Sequence, residues 1–222
     1  MTCSHLLSSL NRNSETMSDT FKTITAPAEG FFKDKGSRFV SYLFPVEHEE
    51  EIKDILLKIR KEHHSARHYC YAWRLGKEEP RFRANDDGEP SSSAGKPILG
   101  QLLHFDLTNV LCVVVRYFGG ILLGVPGLIH AYRQAALDAI RHAEIETRII
   151  EMEYQLRFSY QELNGVMLVI KNENLTQTGI QLTEDCSVSF SVRKDEAERI
   201  EQIFHDFHGV TIIRKPETPQ QE

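Results

Sequence analysis

The sequence lacks a cysteine framework, a long apolar run and an excess of basic residues. Its four cysteines, Cys3, Cys70, Cys112 and Cys186, are scattered and form no Cys-x-x-Cys pair, which argues against a disulfide-stapled domain or a zinc ribbon. Because most of them fall in apolar or alternating runs, we expect reduced, buried thiols and a cytoplasmic location. No run approaches the ~18 apolar residues that a membrane-spanning helix needs, so no membrane association is expected.

The net charge of −6 at pH 7 is unevenly distributed. Residues 21–146 carry equal numbers of basic and acidic side chains, whereas residues 147–222 hold the acidic excess. Affinity for nucleic-acid phosphates depends on Lys and Arg side chains. The second part is therefore a poor general nucleic-acid binder, and any RNA contact has to come from a local patch in the first part.

Composition divides the chain into four segments. Residues 1–20 are rich in Ser, Asn and Thr without a visible period, and we expect a disordered extension. Residues 21–146 and 147–214 are predicted to form two domains that meet near Ile145–Ile150, and residues 215–222 a disordered tail. The predicted fold class is therefore α+β with two domains.

Hydrophobic periodicity predicts the elements of the first domain. Apolar residues at Ile52, Ile55, Leu56 and Ile59 follow the spacing of an amphipathic helix. By the same criteria we predict strands at 21–27, 38–46, 68–75 and 110–115, helices at 47–63, 94–105 and 128–143, a turn at 31–36 and a long loop over 76–93.

The second domain has a regular pattern. Residues 152–160 alternate between apolar and polar, as in a strand with one buried face. A helix is predicted at 161–172, a hairpin at 180–183 and 188–193, a helix at 195–208 and a strand at 210–214. This βαββαβ order is the ferredoxin-like arrangement. The predicted solvent face consists of Glu153, Gln155, Arg157, Ser187, Ser189, Ser191 and Arg193. It has no aromatic residues on which RNA bases could stack, which favours protein contacts.

The most constrained stretch is the apolar strand 110–115 with the turn Arg116–Gly127 that follows it. Backbone N–H groups of Gly119, Gly120 and Gly124 beside Arg116 would suit an anion or phosphate, with Lys96 as a second cation. The alternative is that the glycines only permit a tight connection and that Arg116 pairs locally. No Gly-Lys-Ser/Thr follows, so the turn is not a P-loop.

A second candidate is the acidic loop Asp86, Asp87 and Glu89, whose carboxylates could hold a divalent cation. A solvated loop is the simpler interpretation. The histidines His63, His64, His68, His104 and His130 lack zinc-ligand spacing, and no G-x-S-x-G nucleophile elbow is present. Trp73 and its neighbouring tyrosines are interpreted as packing residues of a strand.

Four ordered motifs within residues 21–143 resemble the YigZ/IMPACT family. They are His68-Tyr-Cys-Tyr-Ala-Trp-Arg74, Asp86-Asp-Gly-Glu-Pro90, Ala94-Gly-Lys-Pro-Ile-Leu99 and Val113-Val-Val-Arg-Tyr-Phe-Gly-Gly120. The chain departs from the family pattern at Ser92-Ser93, Leu122, Val125-Pro126 and His130. These departures make the loop around Arg116 less basic than is usual in the family.

The resemblance implies a first domain like the second domain of a small-subunit ribosomal protein, and a second domain like the last domain of elongation factor G. Eukaryotic members act in translational control through protein contacts. We therefore expect a non-enzymatic regulator of translation or stress response, without a cofactor, that binds protein, ribosome or RNA. RNA would be held by Arg116 and Lys96 with a basic flank of Arg74, Arg81 and Arg83. The alternative is a metal-dependent hydrolase of a small phosphate ester or nucleotide.

Overall fold

The structure, a computed structural model, describes residues 19–183 and 185–215. In chain order its elements are β1 (Thr20–Ile24), β2 (Ala28–Asp34), β3 (Ser37–Pro45), α1 (Glu49–Glu62), β4 (His68–Leu75), β5 (Arg81–Asn85), α2 (Gly95–His104), β6 (Val110–Tyr117), α3 (Gly124–His142), β7 (Ile145–Ile149), β8 (Glu151–Ser159), α4 (Leu163–Asn172), β9 (Thr176–Gln181), β10 (Asp185–Arg193), α5 (Lys194–His205) and β11 (Val210–Arg214). None of the described helices is both long enough and apolar enough to cross a membrane.

The first sheet has five antiparallel strands in the order β2-β3-β6-β4-β5. Helices α2 and α3 pack on one face, where Cys112 and Val114 join the core, and α1 packs on the other, where Val113 and Val115 do so. The central strand β6 is therefore buried on both faces, which explains its unbroken apolar run. Trp73 lies in the core under α1, as its packing interpretation predicted.

A two-stranded sheet, β1 with β7, links the two parts of the chain. The segment predicted as a boundary at Ile145–Ile150 is thus mostly strand. Asp19 and Thr20, predicted to be disordered, are ordered: Thr20 begins β1 and Asp19 pairs with Arg193 at 2.5 Å. Lys215, assigned to the disordered tail, donates its N–H to the Glu153 carbonyl. The remaining residues of both predicted disordered segments lie outside the described residues.

The second part has the predicted βαββαβ order, with the strands arranged β11-β8-β10-β9 and α4 and α5 over one face. The apolar residues of β8, from Met152 to Phe158, point into this core, and the alternating polar residues point away. Ser191, predicted on the solvent face, is instead buried. The architecture is thus α+β, as predicted.

Three predicted elements of the first part are wrong. Strand β2 continues to Asp34, so the turn predicted over 31–36 shrinks to Lys35-Gly36. The predicted loop 76–93 contains β5, an edge strand whose side chains are exposed or half-buried, so apolar alternation is not required there. Helix α3 begins at Gly124, earlier than predicted, because Pro126 is tolerated in the first turn.

The prediction of buried thiols is confirmed for Cys70, Cys112 and Cys186, which are all free and buried. Burial raises the pKa of the Cys112 thiol to about 12. Such a thiol stays protonated at neutral pH and is therefore unreactive as a nucleophile. Cys3 lies outside the described residues.

Candidate functional site

Arg116, near the end of β6, is held inside the protein by a carboxylate. Its Nη1 lies 2.6 Å from Oε1 of Glu89, and only 7% of the Arg116 side chain and 4% of the Glu89 side chain are exposed. The guanidinium also lies over the rings of Phe39 and Phe118, 5.6 and 5.7 Å from their centroids. The charge that sequence analysis assigned to an external anion is therefore neutralised within the fold.

Two further side chains complete this buried network. The Tyr132 hydroxyl donates to Oε1 of Glu89 at 2.8 Å, and the Cys70 sulfur lies 3.3 Å from the Tyr132 oxygen. Burial raises the pKa of both the Tyr132 hydroxyl and the Cys70 thiol above their ordinary values. Tyr132 therefore remains a proton donor to Glu89 at neutral pH, and the network ties α3 and β4 to β6.

The glycines next to Arg116 have structural roles as well. The Gly119 N–H donates to Oγ of Ser37 at 3.2 Å, so it does not face an outside ligand. A Cβ at Gly119 would lie 1.9 Å from the carbonyl carbon of Gly36. Gly120 and Gly124 adopt φ angles of +89° and +72°, which side-chain-bearing residues rarely adopt. The charge of Arg116 and the N–H of Gly119 thus have partners inside the fold, whereas Nε of Arg116 is buried without a hydrogen-bond partner. The anion site at Arg116, Gly119, Gly120 and Gly124 stays a prediction to which these contacts give no support.

The side chains of the acidic loop also have structural roles. Asp86 accepts hydrogen bonds from the backbone N–H groups of Ser92, Ala94 and Gly95 at 2.8, 3.0 and 2.8 Å. The last two belong to the N-cap and first residue of α2, whose N–H groups have no partners within the helix. The Asp86 carboxylate thus caps α2, while the nearby Ser93 hydroxyl donates to the Pro90 carbonyl.

Asp87 and Glu89 have different partners from Asp86. Asp87 accepts from the Tyr69 N–H at 2.8 Å and pairs with Arg60 at 2.7 Å, while Glu89 faces Arg116. Over residues 19–183 and 185–215, no three His, Cys, Asp or Glu side chains are placed to hold a metal ion. The three carboxylates diverge toward separate internal donors, so the metal loop stays a prediction to which these contacts give no support.

Replacing Asp86 by alanine is expected to lower the free energy of unfolding by about 1–2 kcal/mol, the usual cost of a lost helix N-cap. Asp86→Asn should recover part of this loss, because an amide oxygen still accepts. Equilibrium urea unfolding of both variants measures the effect. An Asp86→Ala protein as stable as the parent would show that these three hydrogen bonds contribute nothing.

The predicted basic flank does not form one patch. Arg81 and Arg83 stand opposite Leu75 and Trp73, and therefore share the α1 face of the sheet. Arg74 lies on the opposite face, where it pairs with Asp106 at 2.9 Å. Side chains on opposite faces of one sheet cannot bind the same phosphate group.

Lys96 is exposed on α2, where it lines a groove of about 550 Å³ between α2 and α3 together with Arg133. This groove is not lined by Arg116 but by Arg133, a residue that the sequence analysis overlooked. The signal available in the sequence was weak, because Arg133 is one of three charged residues on a largely apolar helix and lies far from Lys96 along the chain.

The sequence analysis also missed an exposed apolar loop, defined here as residues 118–125, which joins β6 to α3 and includes the first residues of α3. Phe118, Ile121, Leu122 and Val125 are 51%, 57%, 82% and 45% exposed. Leu123, in contrast, is only 9% exposed and anchors the loop in the core between α2 and α3. The available signal was a run of three apolar residues, 121–123, between two glycine turns, where loops are usually polar.

The histidines do not gather at one point. His63 lies between two tyrosines, with its Nε2 2.8 Å from the Tyr42 hydroxyl and its Nδ1 2.7 Å from the Tyr117 hydroxyl. Burial, helped by nearby carboxylates, raises the pKa of Tyr42. His68 contacts the Asp87 carbonyl oxygen at 2.9 Å. These contacts give the histidines positioning roles within the first sheet.

Comparison with known proteins agrees with this architecture. The Impact N-terminal domain matches residues 35–140. The chain is 38% identical over 143 residues to IMPACT family member YigZ of Escherichia coli strain K12, covering 64% of this chain and 70% of that protein. It is 32% identical over 182 residues to IMPACT family member YvyE of Bacillus subtilis strain 168, covering 82% and 83%.

A crystal structure described as that of a hypothetical protein matches with a TM-score of 0.65 and 28% identity, covering 90% of this chain and 99% of that one. The match therefore extends over both parts of the chain. Together with the sequence relatives, it establishes the resemblance seen in the four motifs. The chain belongs to the YigZ/IMPACT family.

Proposed function

We propose that this protein regulates translation or the response to stress by binding another macromolecule, and that a protein of the translation apparatus docks on its exposed apolar loop. The proposal includes two domains, residues 21–146 and 147–214. The first would resemble the second domain of a small-subunit ribosomal protein, and the second the last domain of elongation factor G. Family membership and the βαββαβ order of the second part support this assignment.

The observation that carries the proposal is the loop formed by Phe118, Ile121, Leu122 and Val125. Four apolar side chains within eight residues are each at least 45% exposed. Contiguous exposed apolar surface marks interaction sites more often than chance exposure does. The close contact of Gly119 with Gly36 and the buried Leu123 hold this loop in place before any partner arrives, which reduces the entropy lost on binding.

The same geometry argues against the hydrolase alternative. A phosphate-ester hydrolase of that design needs free carboxylates for a metal and a free cation for the phosphate. Asp86, Asp87 and Glu89 are bound to internal donors, and Arg116 is bound to Glu89. Freeing Asp86 would cost a helix cap, and freeing Glu89 or Arg116 would cost a buried ion pair. We therefore make no proposal of catalysis.

Leu122→Asp is expected to weaken binding to ribosomes at least tenfold, because burying a leucine contributes about 1.5–3 kcal/mol and a buried unpaired carboxylate is unfavourable. The measurement is co-sedimentation of the purified protein with purified ribosomes across a concentration series. Leu57→Asp is the matched control, because Leu57 on α1 is 57% exposed and lies outside the loop.

Two results would contradict the proposal. Equal loss of binding in the Leu57 and Leu122 variants would point to a general effect of added negative charge. No co-sedimentation of the parent protein, or binding untouched by Leu122→Asp, would remove the loop as a docking site on the translation apparatus.

A further inference from the structure

The groove between α2 and α3 combines positive charge with hydrogen-bond donors. Lys96 and Arg133 stand on its two walls, and Gln101, His104 and Ser92 add side chains able to donate. Its volume is about 550 Å³, and no acidic residue lines it. Lys96 and His104 are eight residues apart on one helix, which places them about 12 Å apart along its axis. The groove is therefore long enough for more than one phosphoryl group.

The cations of this groove differ from other arginines of the first part. Arg60, Arg74 and Arg116 each pair with a carboxylate, at 2.7, 2.9 and 2.6 Å. Lys96 and Arg133 are exposed and have no ion pair with any residue of the described chain. Two unpaired cations facing a common space repel each other, and an anion bound between them relieves that repulsion.

Gly100, on the wall of the groove, supplies a second observation. It lies inside α2, where glycine is less favourable than alanine by about 0.5–1 kcal/mol. A Cβ at this position would meet no atom within 4 Å, so packing does not require a glycine. The effect of the missing side chain is to leave the groove open between Lys96 and His104.

We infer that this groove binds a phosphoryl anion, with Lys96 and Arg133 each contacting a phosphate oxygen and Gln101 donating a further hydrogen bond. The N–H groups at the start of α2 take no part, because Asp86 already satisfies them. The ligand chemistry is that of two neighbouring phosphate groups, which are joined directly in a free diphosphate and separated by a ribose along an RNA strand. The site shares no residue with the apolar loop and goes beyond the proposed function.

The test uses the full chain and two probes, inorganic pyrophosphate by calorimetry and an oligouridylate of about twelve nucleotides by fluorescence anisotropy. Lys96→Ala/Arg133→Ala should weaken binding at least tenfold, the effect of losing hydrogen bonds to a charged group. For the oligonucleotide, the slope of log affinity against log salt should fall by about 1.4. Lys53→Ala/Lys61→Ala on α1 is the control with the same change in net charge and should bind as the parent does.

Gly100→Leu separates shape from charge, because it keeps both cations while placing a side chain in the groove. It too should weaken binding at least tenfold, with the fold checked by circular dichroism. Binding of pyrophosphate would identify a free phosphate ligand, and binding of the oligonucleotide alone would identify an RNA strand. The inference is overturned if the parent binds neither probe, or if the Lys96/Arg133 and Lys53/Lys61 variants behave alike.

Discussion

Glu89→Ala is expected to lower the free energy of unfolding by about 3–5 kcal/mol, because it leaves the guanidinium of Arg116 buried without a counter-charge. Both side chains are more than nine-tenths buried, and their atoms approach within 2.6 Å. The variant also removes the acceptor of the Tyr132 hydroxyl, whose side chain is buried in the core of the first part. Equilibrium urea unfolding measures the change as a lower midpoint with an unchanged slope.

Two further variants identify the source of this loss. Glu89→Leu/Arg116→Met removes both charges and should recover most of the stability, since apolar replacements of a buried ion pair are often neutral or better. Glu62→Ala breaks an exposed pair on α1, Lys58 with Glu62 at 3.9 Å. That change should lower the free energy of unfolding by about 0.3–0.5 kcal/mol.

A loss below about 1 kcal/mol for Glu89→Ala would show that the pair behaves like a surface salt bridge. Arg116 would then be available to an external ligand, as the anion-site prediction requires. A failure of the double variant to recover stability would instead place the cost in the Tyr132 hydrogen bond or in packing.

This pair also shows the limit of prediction from sequence. Local patterns predicted β4 over 68–75 and β11 over 210–214, because spacing along the chain reflects which side of an element is buried. The same patterns ranked Arg116 and Glu89 as separate candidate sites, although they are partners. They stand 27 residues apart, and no local period encodes which charges meet after folding.

The misplaced elements have a related cause. Strand β5 has exposed or half-buried side chains at an edge, so its sequence carries no apolar alternation to detect. Helix α3 starts among glycines that usually signal a turn. The exposed loop was missed for the opposite reason: Ile121, Leu122 and Leu123 have the same polarity class, yet only Leu123 is buried. Exposure within an apolar run depends on tertiary contacts.

Gly119→Ala is expected to lower the free energy of unfolding by about 3 kcal/mol, at the upper end of the cost of overpacking. The new Cβ would lie 1.9 Å from the carbonyl carbon of Gly36 and 2.1 Å from the nitrogen of Ser37. Both contacts are with backbone, so no side-chain rotation relieves them, and the turn between β2 and β3 has to separate from the apolar loop. The loop would then lose the support that positions Phe118 and Leu122.

Gly100→Ala is the matched control, because the same added methyl group meets no atom within 4 Å. It should raise the free energy of unfolding by about 0.5–1 kcal/mol through helix propensity alone. Urea unfolding of the two variants should therefore shift the midpoint in opposite directions. Without urea, and at a temperature where the Gly119→Ala protein remains folded, its co-sedimentation with ribosomes should fall toward the level of Leu122→Asp. A Gly119→Ala protein with parental stability and parental binding would show that the contact between the two turns does not hold the loop in place.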